Sequence, residues 1–306
     1  MTDVKILASG FGFPEGPVVM PDGAVILTEI RNGRCSRVTA DGKSSVFSEC
    51  GGGPNGLAIG PDGALYLCNN GGARYVEGTS MSQGAHAGYK GGSIQRLDAK
   101  TGAFKTLYAE CNGHKLSAPN DLVFDRQGGF WFTDLGKTRE RDGDRGAVYY
   151  ARADGSMIRE AIFPLERPNG IGLSPDERTL YVVETPTARC WAFTLSGPGQ
   201  IESANGTYRG EKGRVVVGLG GYQMFDSLAV DSEGHVAAAT LITGAVSDIW
   251  PDGSRVDQYM LPDMMVTNVC FGGRELRTAF ATLSMGGTLV SFEWPRPGHP
   301  LHYLNR

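Results

Sequence analysis

Six polar residues stand at the same place in six copies of one local pattern: Glu15, Asn55, Asn120, Asn169, Asp226 and Thr267. In the sixth copy a shift of one residue would put Asn268 in place of Thr267. The anchors follow one another at intervals of 40, 65, 49, 57 and 41 residues, and none is basic. They offer two carboxylates, three side-chain amides and a hydroxyl, all hard oxygen donors, with no Cys or His among them. Brought together, such a set suits Ca²⁺ or a similar hard divalent ion. A buried ring of these groups with neither water nor a cation at its centre would leave acceptors unsatisfied. Asn and Asp also form turns that enter strands, a role that gives no reason for Glu15.

The elements that carry the anchors follow from the same repeat. Each anchor leads a short apolar run, then a turn of the Pro21-Asp22-Gly23 or Pro61-Asp62-Gly63 kind, then a second apolar run such as Val25-Ile26-Leu27 or Phe130-Trp131-Phe132. A third run closes several copies, as in Ala147-Val148-Tyr149-Tyr150, and a fourth follows, as in Val215-Val216-Val217. Four strand-like runs per unit, six units and 45 glycines predict an all-β, six-bladed β-propeller with four-stranded blades, one domain over residues 1–306. The sixth unit ends at its third run, so Val4-Lys5-Ile6-Leu7-Ala8 is expected to supply the missing strand and close the ring. In a propeller the innermost strands line the central channel, so residues at one position of six such strands converge on one mouth.

Composition removes other classes. With 29 basic against 33 acidic residues the net charge is −4, and no Lys/Arg run could track a phosphate backbone, so nucleic acid is not expected as a partner. The start lacks the apolar core of a signal sequence and no stretch is long enough for a membrane span, which reads as a cytoplasmic protein without a membrane partner. The six cysteines show no C-x-x-C pair and read as free thiols, while His299 and His302 read as surface residues rather than a metal pair. Gly-x-Ser-x-Gly is absent, which argues against a serine hydrolase.

Four segments carry a resemblance: Phe13-Pro14-Glu15-Gly16-Pro17, Gly113-His114-Lys115-Leu116-Ser117-Ala118-Pro119-Asn120-Asp121-Leu122, Arg167-Pro168-Asn169-Gly170-Ile171 and Thr267-Asn268-Val269-Cys270-Phe271-Gly272-Gly273. In order and at blade spacing, they resemble the gluconolactonase, senescence-marker-protein and luciferin-regenerating-enzyme family. The resemblance implies a six-bladed propeller with one divalent cation at the channel mouth and hydrolysis of a small-molecule lactone. Carried over by position, Glu15, Asn169 and Asp226 are implied metal ligands, Asn120 a contact to metal or substrate, and Asp226 the base or nucleophile. Ca²⁺ is the expected ion, with Zn²⁺, Mg²⁺ and Mn²⁺ as alternatives. This chain departs from the family at Asp226-Ser227, where Asp-Gly is common, and at Ala118, where the animal sugar-lactone branch has arginine.

The chemistry implied is hydrolysis in which a cation polarises the lactone carbonyl and Asp226 takes a proton from water. Asn120, Asn55 and Arg31 are the expected substrate contacts. Lys137, Glu184 and Thr185 occupy rim positions like that of Arg31, and the long link over residues 69–91 is either a lid or an inert insertion. Two alternatives stand beside a lactonase: a phosphotriester hydrolase resembling diisopropyl-fluorophosphatase, and a non-catalytic ligand-binding propeller.

Overall fold

The computed structural model describes residues 2–77, 79, 82–202 and 213–305. Six antiparallel sheets follow one another along the chain as the blades of a propeller. The innermost strands are Pro14–Val19, Pro54–Ile59, Pro119–Phe124, Pro168–Leu173, Met224–Val230 and Val266–Gly272. Blade six is completed by Lys5–Ser9, which pairs antiparallel with Thr288–Glu293, so the N-terminal strand closes the ring as the sequence predicts. Blade four carries a short additional strand, Gln200–Ile201, and a two-stranded ribbon of Glu110–Cys111 and His114–Lys115 precedes blade three. One 3-10 turn, Arg274–Leu276, is the sole helical element among the described residues.

The apolar runs fail to alternate with polar residues because each blade is buried on both faces. Successive side chains of a strand point to opposite sides. In blade three, Phe130 and Phe132 pack with Tyr66 and Ile94 of blade two, whereas Trp131 between them packs with Leu180 and Phe193 of blade four. Likewise Val25 and Leu27 join Leu289 of blade six, while Ile26 faces Leu65 and Leu67 of blade two. The core is therefore divided into clusters between neighbouring blades.

The turns between first and second strands lie at the end of the channel away from the anchors. Asp22 Oδ1 accepts the Ala24 N–H at 3.1 Å and Asp62 Oδ1 accepts that of Ala64 at 3.2 Å, which explains the Pro-Asp-Gly pattern. This end is covered by the C-terminal segment. Leu304 packs against the cluster that holds Val18 and Leu57, Tyr303 Oη donates to Asp125 O at 3.2 Å, and His302 bonds Glu177. Residues 299–305 line the same cavity as Leu57, Leu122, Ile171 and Leu228 of the innermost strands. The reading of His299 and His302 as surface residues is thus corrected: both are half-buried at the stoppered end of the channel. All six cysteines are free.

Candidate active site

Each anchor sits where its innermost strand begins. Proline starts four of these strands, at Pro14, Pro54, Pro119 and Pro168, and an edge strand tolerates it because the missing N–H costs no ladder bond. In all six the register then shifts beside the anchor, as between Pro119 and Leu122 or Phe225 and Leu228. Such bulges re-aim a side chain out of the ladder. Neighbouring blades lock the anchor backbones in place: Thr28 Oγ1 donates to Asn55 O at 2.8 Å and Thr133 Oγ1 to Asn169 O at 2.5 Å.

In blades one to four the loop before the anchor is held by the residue ending the second strand of the same blade. Glu29 accepts the Gly12 N–H, Asn69 that of Gly53, Asp134 those of Ser117 and Ala118, and Glu184 that of Glu166. Glu184, expected at the rim as a substrate contact, thus braces the approach to Asn169. Thr185 Oγ1 accepts the Asn169 Nδ2–H at 3.1 Å and so orients that amide.

The anchors are almost entirely withdrawn from solvent, Glu15 at 2 % and Asp226 at 8 % exposure. Burial pushes the Glu15 carboxyl well above its usual range, and the charge of Asp226 adds to the shift. Burial likewise raises Asp226 to about 7, against a bond from Asn169 that favours its charged form. Asn268 Nδ2 donates to Glu15 Oε2 at 2.7 Å, and the Gly16 N–H reaches the same oxygen at 2.8 Å. The structure thus brings Glu15, Asn169 and Asp226 together. Asn55 and Asn120 occupy the matching places in blades two and three, and the Oδ1 of each is buried without a hydrogen-bond partner. Thr267 turns away, its hydroxyl engaged with Pro14 O, Thr282 and Ser284, and Asn268 faces the site in its stead.

One position beyond the anchors lies a second ring: Gly16, Gly56, Asp121, Gly170, Ser227 and Asn268. Three are glycine because the blades nearly touch; a Cβ on Gly16 would lie 2.3 Å from Asn55 O and one on Gly56 2.6 Å from Asn120 O. The other three are polar and wire the site together. Asp121 is buried, raised to about 7 by that burial, and bonded to Ser227, whose Oγ lies 3.4 Å from Asn169 Oδ1. The repeat singled out neither Asp121 nor Ser227 for a role; the signal was there, in the replacement of an otherwise recurrent glycine.

Around the mouth, the link between Asn69 and Ser93 of blade two is tied to blades one and three. Arg31 Nη1 donates to Thr79 O at 3.0 Å and its guanidinium lies over the Tyr75 ring. Tyr89 Oη donates to Ser117 O at 2.6 Å, and the Ala85 N–H to Thr138 O at 3.1 Å. Arg31 therefore pins the link. Residues 78, 80 and 81 of the link lie outside the described set. Lys137 is buried, with Nζ 2.8 Å from Asn70 O and 5.0 Å from the Tyr89 ring centroid.

A separate group, Asp231, His235 and Asp248, places three ligand atoms within 4.8 Å of one another. Arg296 already donates to Asp231 at 2.6 Å and to Asp248 at 2.5 Å, so a guanidinium supplies the positive charge there. This cluster clamps the C-terminal segment to blade five. Among the described residues the anchor ring is therefore the better cation site, since no guanidinium or ammonium is bonded to its carboxyls.

The fold and this ring of buried oxygens define a class, propellers with an axial polar site at one mouth of the channel. The chain belongs to the SMP-30/gluconolactonase/LRE-like family, whose profile matches residues 13–285. It is 26 % identical over 296 residues to a gluconolactonase of Zymomonas mobilis, covering 89 % of this chain and 76 % of that protein. It is 28 % identical over 250 residues to the lactonase drp35 of Staphylococcus haemolyticus, covering 81 % and 69 %. In fold it is similar to a gluconolactonase of Xanthomonas campestris, with TM-score 0.75 and 23 % identity over 96 % of this chain and 90 % of the other. These relatives support a hydrolase of the lactonase kind. No helix among the described residues is long and apolar enough to cross a membrane.

Proposed function

We propose that this protein hydrolyses a small lactone at the anchor ring, with one divalent cation, Ca²⁺ first, held by Glu15, Asn120, Asn169 and Asp226. The observation that carries this reading is the pair of orphaned buried oxygens, Asn55 Oδ1 and Asn120 Oδ1, on the same ring as two carboxyls that burial forces toward protonation. Hard oxygens without partners and carboxylates with no cation bonded to them fit a dication.

The chemistry such an ion supplies is polarisation of the lactone carbonyl and compensation of the charge that grows on its oxygen. The remaining work belongs to the chain. Asp226 takes the proton of the attacking water, and the Asn169 amide steadies its carboxylate. Asn268 and the Gly16 N–H hold Glu15 in one orientation. Asn120 and Asn55 present neutral oxygens to ion or substrate, and the link pinned by Arg31 limits access of bulk water.

The test is a panel of lactones, gluconolactone included, assayed beside an organophosphate with and without chelator. Lactone turnover should be lost on chelation and restored by Ca²⁺. Asp226→Asn should cost at least about a hundredfold in kcat, the range for a lost general base, with the melting temperature retained. Full activity in both Asp226→Asn and Glu15→Gln would reject the mechanism, and turnover of the organophosphate alone would move the function to phosphotriester hydrolysis.

A further inference from the structure

The position two residues before each anchor forms the inner rim of the mouth. Its six occupants are Phe13, Gly53, Ala118, Arg167, Met224 and Met265, so blade four alone places a charge there. Arg167 has a left-handed backbone, φ 51°, where glycine would be less strained. A long cation retained at such a place points to a use for its side chain.

Arg167 Nη1 reaches across to Thr138 Oγ1 of the mouth loop that follows the second strand of blade three. The preceding residue in that loop is Lys137, buried, with Nζ bonded to the neutral Asn70 carbonyl and set over the Tyr89 ring. Neither cation makes an ion pair among the described residues, while Arg34, Arg96, Arg126, Arg139, Arg145, Arg255 and Arg296 all do. Burial and the charge of Arg167 disfavour the Lys137 ammonium, against attraction from Asp134 and Asp144, and Arg167 is close enough to Asp226 for their charges to interact. Two buried or half-buried like charges side by side at the mouth, neither bonded directly to a carboxylate, are stabilised when an anion comes between them.

We infer that the lactone carries a second, anionic group, a carboxylate, sulfonate or phosphate, and that Arg167 and Lys137 receive it at the mouth. This rests on the lactonase reading above. Arg167 matches the planar face of such a group with paired N–H donors, and Lys137 adds a point charge from the other side. The lactone ring then points inward to Asp226 while its charged tail stays at the rim.

Two lactones with the same ring separate the possibilities: D-glucaro-1,4-lactone, which bears a free carboxylate, and the neutral D-glucono-1,4-lactone. The protein with its cation should prefer the first by about tenfold or more in kcat/KM, the scale of one charge-assisted contact. Arg167→Met and Lys137→Met should each shrink that preference toward one, and Arg167→Lys should retain most of it. Equal use of both lactones by the unsubstituted protein, or an undiminished preference in the variants, overturns the inference and leaves lactone hydrolysis standing. If the cations served only the carboxylate that ring opening always creates, both substrates would suffer alike in the variants, which also overturns it.

Calorimetry with Asp226→Asn protein gives a readout that needs no turnover. Tighter binding of D-glucaro-1,4-lactone, lost in Asp226→Asn/Arg167→Met, supports the anion subsite even where neither compound is hydrolysed. Equal affinity for the two lactones rejects it.

Discussion

At the level of single residues, the carboxyls around the mouth make the protein sensitive to pH in a direction opposite to the usual one. Asp226 and Asp121 hold protons in the fold up to about pH 7, whereas an unfolded aspartate releases them near about 4. Between those values the native state binds more protons than the unfolded one, so stability falls as pH rises through that window. The melting temperature of chelated protein should therefore drop from pH 5 to pH 8, and Ca²⁺ should flatten the slope by stabilising the ionised forms. Glu15→Gln/Asp121→Asn/Asp226→Asn protein without metal, which also removes the raised Glu15 carboxyl, should lose most of the slope; a full slope in that variant would show that the titrating groups lie elsewhere. The anchors were legible because a repeat makes six residues equivalent before any contact is known. Asp121 and Ser227 were not, because their importance lies in lateral bonds between blades, which no one-dimensional spacing displays.

On the scale of strands and loops, the close approach of blades sets what each strand start tolerates. Gly16 has φ 47°, and a Cβ there would meet Asn55 O, so Gly16→Ala should destabilise by at least about 2 kcal/mol in urea titrations. Thr28→Val removes the hydroxyl that satisfies Asn55 O and should cost about 1–3 kcal/mol with little change of shape. A loss near zero in Thr28→Val would mean that water replaces the hydroxyl. Strand positions were readable because apolar runs separated by Asp-Gly turns leave few other solutions. The ribbon of Glu110–Cys111 with His114–Lys115 was not, since it consists of four residues around a tight turn at Asn112 and Gly113, both with positive φ. Nor did the rim positions of Glu184 and Lys137 distinguish their fates: one accepts the Glu166 backbone N–H of its own blade, the other bonds the Asn70 carbonyl across the mouth.

For the molecule as a whole, the ring is fastened at both termini of the described chain. The N-terminal strand was predictable from a count of runs per unit. The C-terminal clamp was not, because Arg296, Asp231 and Asp248 share no motif and meet only through the fold. Arg296→Met should cost about 3–5 kcal/mol, since it leaves two buried carboxylates without their guanidinium; retention of the full melting temperature would show that the segment contributes little. The same segment makes the channel a blind alley. Whatever reaches the anchors must back out along its path of arrival, so incoming and departing molecules contend for one doorway. Ring-opened hydroxy acid should accordingly act as a competitive inhibitor, and removal of residues 299–305 should relieve that contention by giving the acid a rear exit.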